Sequence, residues 1–173
     1  NSILLLGEFD FSELQKKAKN KPVEYLRELV VEIDKQVATL IQKVVASGKI
    51  PILIGGGHNN AYGNIKGAAL GLQEAGKIKK AQINVINFDA HADFRALEGR
   101  HSGNGFSYAM QEGYLNKYGM LGLHQNYMSQ SMLDTIHQNK IVQAHCFEGL
   151  FITQKISMEQ ATEVLLYFTR NTF

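Results

Sequence analysis

A chain of 173 residues, 45% hydrophobic and 20% charged, is long enough for one domain over residues 1–173 with a substantial core, and these proportions exclude the disordered and fibrous classes. A formal charge of +2, with Lys and Arg spread along the chain, leaves no basic stripe for nucleic acid, and no run reaches the roughly 18 apolar residues of a membrane span. The one cysteine, Cys146, excludes an internal disulfide framework and suits a reducing compartment; with no signal peptide evident, a cytoplasmic location is expected.

In chain order, Ser2 to Leu6 of "SILLLGEF" reads as a buried strand. Pro22 to Ser47 reads as a long helix, because Val23, Leu26, Val30, Ile33, Val37, Leu40 and Val44 recur at alternating steps of three and four and so share one face. Pro22 suits its first turn and Gly48 the position just past its end. "IPILI", Ile50 to Ile54, is a continuous apolar run ending in "GGG", the pattern of a strand buried on both faces. A second helix is expected within Asn60 to Ala75, then strands at Ile83 to Phe88 and at Tyr118 to His124, the latter weakened by two glycines. Ser129 to Gln138 reads as a helix and "IVQAHCF", from Ile141, as a further strand. Ser157 and Gln160 form a capping box that opens a last helix, with Val164, Leu165 and Phe168 on its apolar side. Strands alternating with helices predict an α/β domain with a mainly parallel sheet. An apolar strand follows Asn1 at once and "TRNTF" follows a helix directly, so both ends read as cut.

Ligands of open parallel α/β sheets bind outside the carboxyl ends of the strands, and two unusual loops lie there. "GGGHNN", Gly55 to Asn60, follows one apolar strand, and "DAHAD", Asp89 to Asp93, follows the next. If the backbone stays extended past Phe88, Asp89, His91 and Asp93 point the same way, because side chains alternate with period two. Two carboxylates and an imidazole then converge, and such a cluster calls for protonation, a salt bridge or a cation. A metal answers this most economically, and three glycines before His58 allow a tight turn that brings its imidazole to the same strand ends. A mixed oxygen and nitrogen set suits Mn²⁺, Fe²⁺, Zn²⁺ or Ni²⁺ better than Ca²⁺. Elsewhere the expectations are structural. His124 falls at a strand end and is expected to be packed or solvated, and His145 and Cys146 face opposite sides of a strand. His137 is exposed; Asn59, Asn60 and Asn64 support the histidine loop; Tyr62 and Met110 pack.

Through "GGGHNNAYGN" and "NFDAHADFRALEGRHSGNGF" the chain resembles the ureohydrolase family of arginase, agmatinase and formimidoylglutamase, over roughly Ile50 to Phe173. The resemblance implies a three-layer α/β/α fold and a pair of Mn²⁺ ions that activate a water for attack on an amidino carbon. It assigns His58 and Asp93 to one metal, His91 to the other and Asp89 to both, with His101 as the proton-transfer histidine. "RHSG" at Arg100 to Gly103 and the arginine at Arg95 lean towards formimidoylglutamase, and Arg95 and Arg100 each suit a bidentate clamp on a substrate carboxylate. Asn104, with Gly105, stands in the substrate loop where that branch more often shows threonine and proline. The resemblance thus implies a small amidino or guanidino substrate, no nucleic-acid or membrane partner, and a homo-oligomer at full length.

One departure counts against a complete site. The family adds an Asp-X-Asp at the end of a later strand, whereas here only Asp134 follows Asp93, in a predicted helix. Four ligands then remain for a centre of about six, and the sequence is expected to be a fragment whose C-terminal part is missing. The expected activity is Mn²⁺-dependent hydrolysis of formimidoylglutamate to glutamate and formamide. The rivals are arginase or agmatinase action on a guanidino substrate, and a metal-poor, non-catalytic module of the same fold.

Overall fold

A computed structural model describes residues 3–170. Helices α1 (Ser12–Ala18), α2 (Val23–Ala46) and α3 (Asn60–Glu74) precede strand β1 (Ile83–Phe88). There follow α4 (Gly105–Gln111), β2 (Leu115–Leu123), α5 (Gln130–Gln138), β3 (Val142–Cys146) and α6 (Met158–Arg170). The strands form one parallel sheet in the order β1-β2-β3. One core joins Tyr62 and Ile65 of α3 and Phe106 and Ala109 of α4 to Tyr118 and Met120 of β2. A second core, on the opposite face of β2, joins Leu121 to Leu150 and to Ala161 and Leu165 of α6. Helices thus cover both faces of the sheet, as alternating strands and helices predict, because neighbouring residues of a strand point to opposite sides. No helix among the described residues is long and apolar enough to cross a membrane.

The α2 helix follows its apolar periodicity only in its second half. Val37, Ala38 and Ile41 are buried together with the charged Asp34, while Val23 and Leu26 are exposed. The buried face packs on α3, where Gly63, Gly67 and Gly71 recur every fourth residue. A methyl group at Gly67 would lie 2.6 Å from the Ala38 carbonyl oxygen and 2.7 Å from Ile41 Cβ, so the backbones approach more closely than any side chain allows. The Ser157 and Gln160 capping box forms as expected, with reciprocal bonds of 3.1 Å between each backbone N–H and the other side chain. On α6, Leu165 is buried and Val164 exposed.

Two predicted strands do not form. Ile3 to Leu6 and Ile50 to Ile54 carry no strand pairing, and Ile3, Leu5, Ile50 and Ile54 are almost fully exposed. Ser2 lies outside the described residues. An apolar run requires a hydrogen-bonding neighbour to become a strand. Among the described residues β1 pairs with β2 alone, so its other edge has no partner strand there, and Phe88 at its end is exposed.

Candidate metal centre

Gly55 and Gly56 take φ of 96° and 73°, a left-handed region open to glycine without steric cost, and turn the chain into α3. The turn is tied by the Asn60 side-chain amide, which donates to the Gly55 carbonyl at 3.2 Å. His58 therefore projects beside the end of β1. Its Nδ1 lies 2.5 Å from Asp93 Oδ2 and 3.1 Å from Asp89 Oδ2. The three ligand atoms of His58, Asp89 and Asp93 all fall within 4.8 Å of one another.

The carboxylates converge by a turn and not by an extended strand. Past Phe88 the backbone bends, the Asp89 carboxylate accepts the His91 N–H at 2.8 Å, and Asp93 takes a left-handed φ of 45°. Aspartate tolerates that region better than most residues, at a cost on the order of 1–2 kcal/mol. The turn separates His91 from the group: its Nδ1 stands 3.4 Å from Asp89 Oδ1 and its ring is largely exposed. Asp89 thus faces His58 with one oxygen and His91 with the other.

The buried Tyr118 of β2, which sequence reasoning missed, holds this turn from beneath. Its hydroxyl donates to the Ala92 carbonyl at 2.7 Å, between His91 and Asp93, and accepts from the Asn87 amide at 3.1 Å. Its ring stacks on Phe106 at 4.3 Å between centroids, and Phe106 meets His58 edge-on at 5.6 Å. A tyrosine in an apolar run carries no local mark of this role.

Arg100 and Asn104, expected at the substrate, are instead interior scaffolding. Arg100 is 4% exposed, and all five of its N–H groups are taken. Nε and Nη2 donate to the Asp34 carboxylate at 2.8 and 3.3 Å, Nη2 also to the Asn59 carbonyl at 3.1 Å, and Nη1 to the His101 carbonyl and Asn104 Oδ1 at 2.8 and 2.7 Å. The rings of Tyr62 and Tyr108 lie 4.9 and 5.4 Å from its guanidinium carbon. Asn104 is fully buried, and its amide donates to the carbonyls of Ala96 and Gly99. Neither side chain has a group left for a ligand. Arg100 instead joins α2, the residue after His58 and the backbone of His101. Burial pushes the Asp34 carboxyl above its ordinary range, and the Arg100 guanidinium pulls against that.

His101 accepts the Gly103 N–H on Nδ1 at 3.1 Å, which leaves the ring proton of the neutral form on Nε2, 3.1 Å from Glu98 Oε1. Glu98 also meets Arg95 at 3.2 Å, and the Arg95 side chain is mostly exposed. His124 stacks on Phe147 and Tyr127 and Cys146 is half-buried. His145 Nε2 is buried without a partner among the described residues.

A cation fits the first group on its own geometry. Despite its short distances to two carboxylate oxygens, His58 Nδ1 makes no aligned hydrogen bond: the atoms crowd without satisfying one another, as ligands around a common centre do. In the metal-free chain a proton is the only charge available, and the Asp93 carboxylate holds the imidazole pKa above its ordinary value against the effect of burial. One nitrogen and two carboxylate oxygens form a donor set suited to Mn²⁺ and its neighbours.

Known proteins agree with this architecture. Residues 6–168 match the model of the arginase family. A formimidoylglutamase of Chromobacterium violaceum is 36% identical over 99 residues, 55% of this chain and 30% of the relative. A formimidoylglutamase of Staphylococcus aureus is 33% identical over 115 residues, 66% of this chain and 35% of the relative. The chain thus spans about a third of the length of the curated relatives it matches. Among solved structures, an arginase from Bacillus subtilis superposes with a TM-score of 0.68 at 17% identity, covering 92% of this chain and 61% of that one. The fold and the family match agree: the chain belongs to the arginase family.

Proposed function

We propose that this chain carries part of a binuclear Mn²⁺ centre that hydrolyses the C–N bond of a linear amidine, with formimidoylglutamate and water giving glutamate and formamide. The observation that carries the reading is the unsatisfied His58 Nδ1 between Asp89 and Asp93. The substrate rests on the family and on the formimidoylglutamase relatives.

His58, Asp89 and Asp93 would hold one ion, and His91 beside Asp89 would help to hold the other. When bound, such a pair lowers the pKa of a water and neutralises charge in the transition state. His101 handles the proton needed by the leaving nitrogen. As the imidazolium it would give up the Nε2 proton, which now faces Glu98, and return to the neutral ring whose Nδ1 accepts the Gly103 N–H; Glu98 orients the ring. Arg95, of the two arginines expected to clamp the substrate, is the one with an exposed guanidinium, and it meets a substrate carboxylate by exchanging its contact with Glu98.

The test is Mn²⁺ uptake, with and without Asp93→Asn, together with hydrolysis of formimidoylglutamate, arginine and agmatine by this chain and by any longer gene product that contains it. Uptake that Asp93→Asn abolishes, with formimidoylglutamate preferred, supports the reading. Preference for arginine or agmatine moves the substrate to the guanidino class. Absence of metal uptake in every form leaves a metal-poor module of the same fold.

A further inference from the structure

Beyond the ligand groups, one arrangement around His91 has no role in the reaction described above. The imidazole of a metal-binding histidine is ordinarily oriented by a hydrogen bond from its second nitrogen to a carboxylate or carbonyl. Among the described residues no hydrogen bond of the His91 ring is seen; its Nδ1 stands 3.4 Å from the Asp89 carboxylate. Its plane is met instead by Tyr127, stacked at 4.8 Å between centroids and 13° between planes. The column continues from Tyr127 to His124 at 5.3 Å, and from His124 to Phe147 at 4.4 Å, with interplanar angles below 20°.

The short 3₁₀ turn Gln125–Tyr127 that presents the tyrosine is pinned twice at its N-terminal end. The His124 N–H donates to the Ala90 carbonyl at 2.9 Å, inside the DAHAD turn itself. The Gln125 N–H donates to the Glu148 carboxylate at 3.1 Å, tying the turn to the segment after β3. Tyr127 is therefore held over His91 by backbone contacts that do not depend on its own hydroxyl, for which no hydrogen bond is seen among the described residues.

We propose that Tyr127 is a positioning residue: it sets the ring plane of His91, and so the direction of that ligand, by stacking where other centres use a hydrogen bond. The proposal rests on the metal-centre reading above. A stacked pair contributes enough to change a ligand's readiness about two- to tenfold.

The experiment compares the parent chain with Tyr127→Phe and Tyr127→Leu. The first readout needs no metal: the His91 imidazole proton resonances, which feel the ring current of Tyr127. These are expected to move in Tyr127→Leu and to stay close to the parent in Tyr127→Phe. The second is Mn²⁺ affinity by calorimetric titration, expected to weaken about two- to tenfold in Tyr127→Leu and to be retained in Tyr127→Phe. Because the tyrosine is more than half exposed, both variants should unfold near the parent temperature, and that comparison separates local orientation from loss of structure. Unmoved His91 resonances in Tyr127→Leu, or parent-like Mn²⁺ affinity in that variant, overturn the proposal and leave the metal centre standing. Equal loss in Tyr127→Phe assigns the effect to the hydroxyl and also overturns it. Absence of Mn²⁺ uptake both by this chain and by a longer gene product that contains it refutes the metal-centre reading, and the positioning role goes with it.

Discussion

Arg100→Met is the substitution that most sharply separates a scaffold from a substrate clamp. The guanidinium is 4% exposed and makes five hydrogen bonds, two of them to the buried Asp34 carboxylate. Removing it strands a buried carboxylate, which costs about 3–5 kcal/mol, a large share of the roughly 5–15 kcal/mol that holds a domain together. With a urea slope of about 2 kcal/mol/M, the unfolding midpoint should fall by roughly 2 M. Asp34→Leu alone should cost a similar amount. The double variant should lose less than the sum, because replacing both members of a buried ion pair with apolar groups leaves no unpaired charge. It should not recover fully, since Arg100 also serves Asn59, His101 and Asn104. The assay is urea unfolding followed by circular dichroism for all four proteins, with Mn²⁺ affinity measured below the transition. Unchanged stability in Arg100→Met, with only the KM for a carboxylate substrate raised, would refute this reasoning and return Arg100 to the substrate.

Three further outcomes follow from the same contacts. Tyr118→Phe leaves the Ala92 carbonyl and the Asn87 amide without their shared partner, so it should cost about 1–3 kcal/mol in thermal unfolding and weaken Mn²⁺ binding; parent-like values for both would exclude Tyr118 as the support of the turn. In metal-free protein, His58 should titrate above the ordinary 6.5 because of Asp93, and His145 below it because of burial, which histidine NMR resolves. His58 then contributes stability that is complete below about 6.5 and is lost as pH rises through its folded-state pKa, whereas the His145 contribution is complete above about 6.5 and is lost as pH falls through its own; two unshifted histidines would contradict both. Gly67→Ala gains helix propensity of about 1 kcal/mol, yet its methyl group meets the Ala38 carbonyl at 2.6 Å. A net loss of about 1–3 kcal/mol is expected in urea unfolding, and a stabilised variant would mean that α2 and α3 are not in such close contact.

What the sequence determines by itself is carried by local and periodic chemistry. The α2 helix follows from steps of three and four, β1 from a compact apolar run, and α6 from a capping box whose partners are three residues apart. The DAHAD and GGGH loops mark a candidate cation site, because carboxylates and imidazoles gathered in this way call for compensation. Tertiary structure decides the rest, wherever a residue's partner is distant in the chain. Arg100 reads as a substrate clamp until Asp34, 66 positions earlier, takes its charge inside. Asn104 has four buried hydrogen bonds to make, and the loop around it closes to make them. Ile3 to Leu6 and Ile50 to Ile54 have the composition of strands, but composition supplies apolar surface and not a neighbouring edge, and without that edge they remain unpaired. Even the convergence of Asp89 with Asp93 is tertiary. Period-two alternation predicts three side chains on one side, whereas the Asp89 cap, the left-handed Asp93 and the Tyr118 hydroxyl bend the loop so that two carboxylates meet His58 and His91 is turned towards Tyr127.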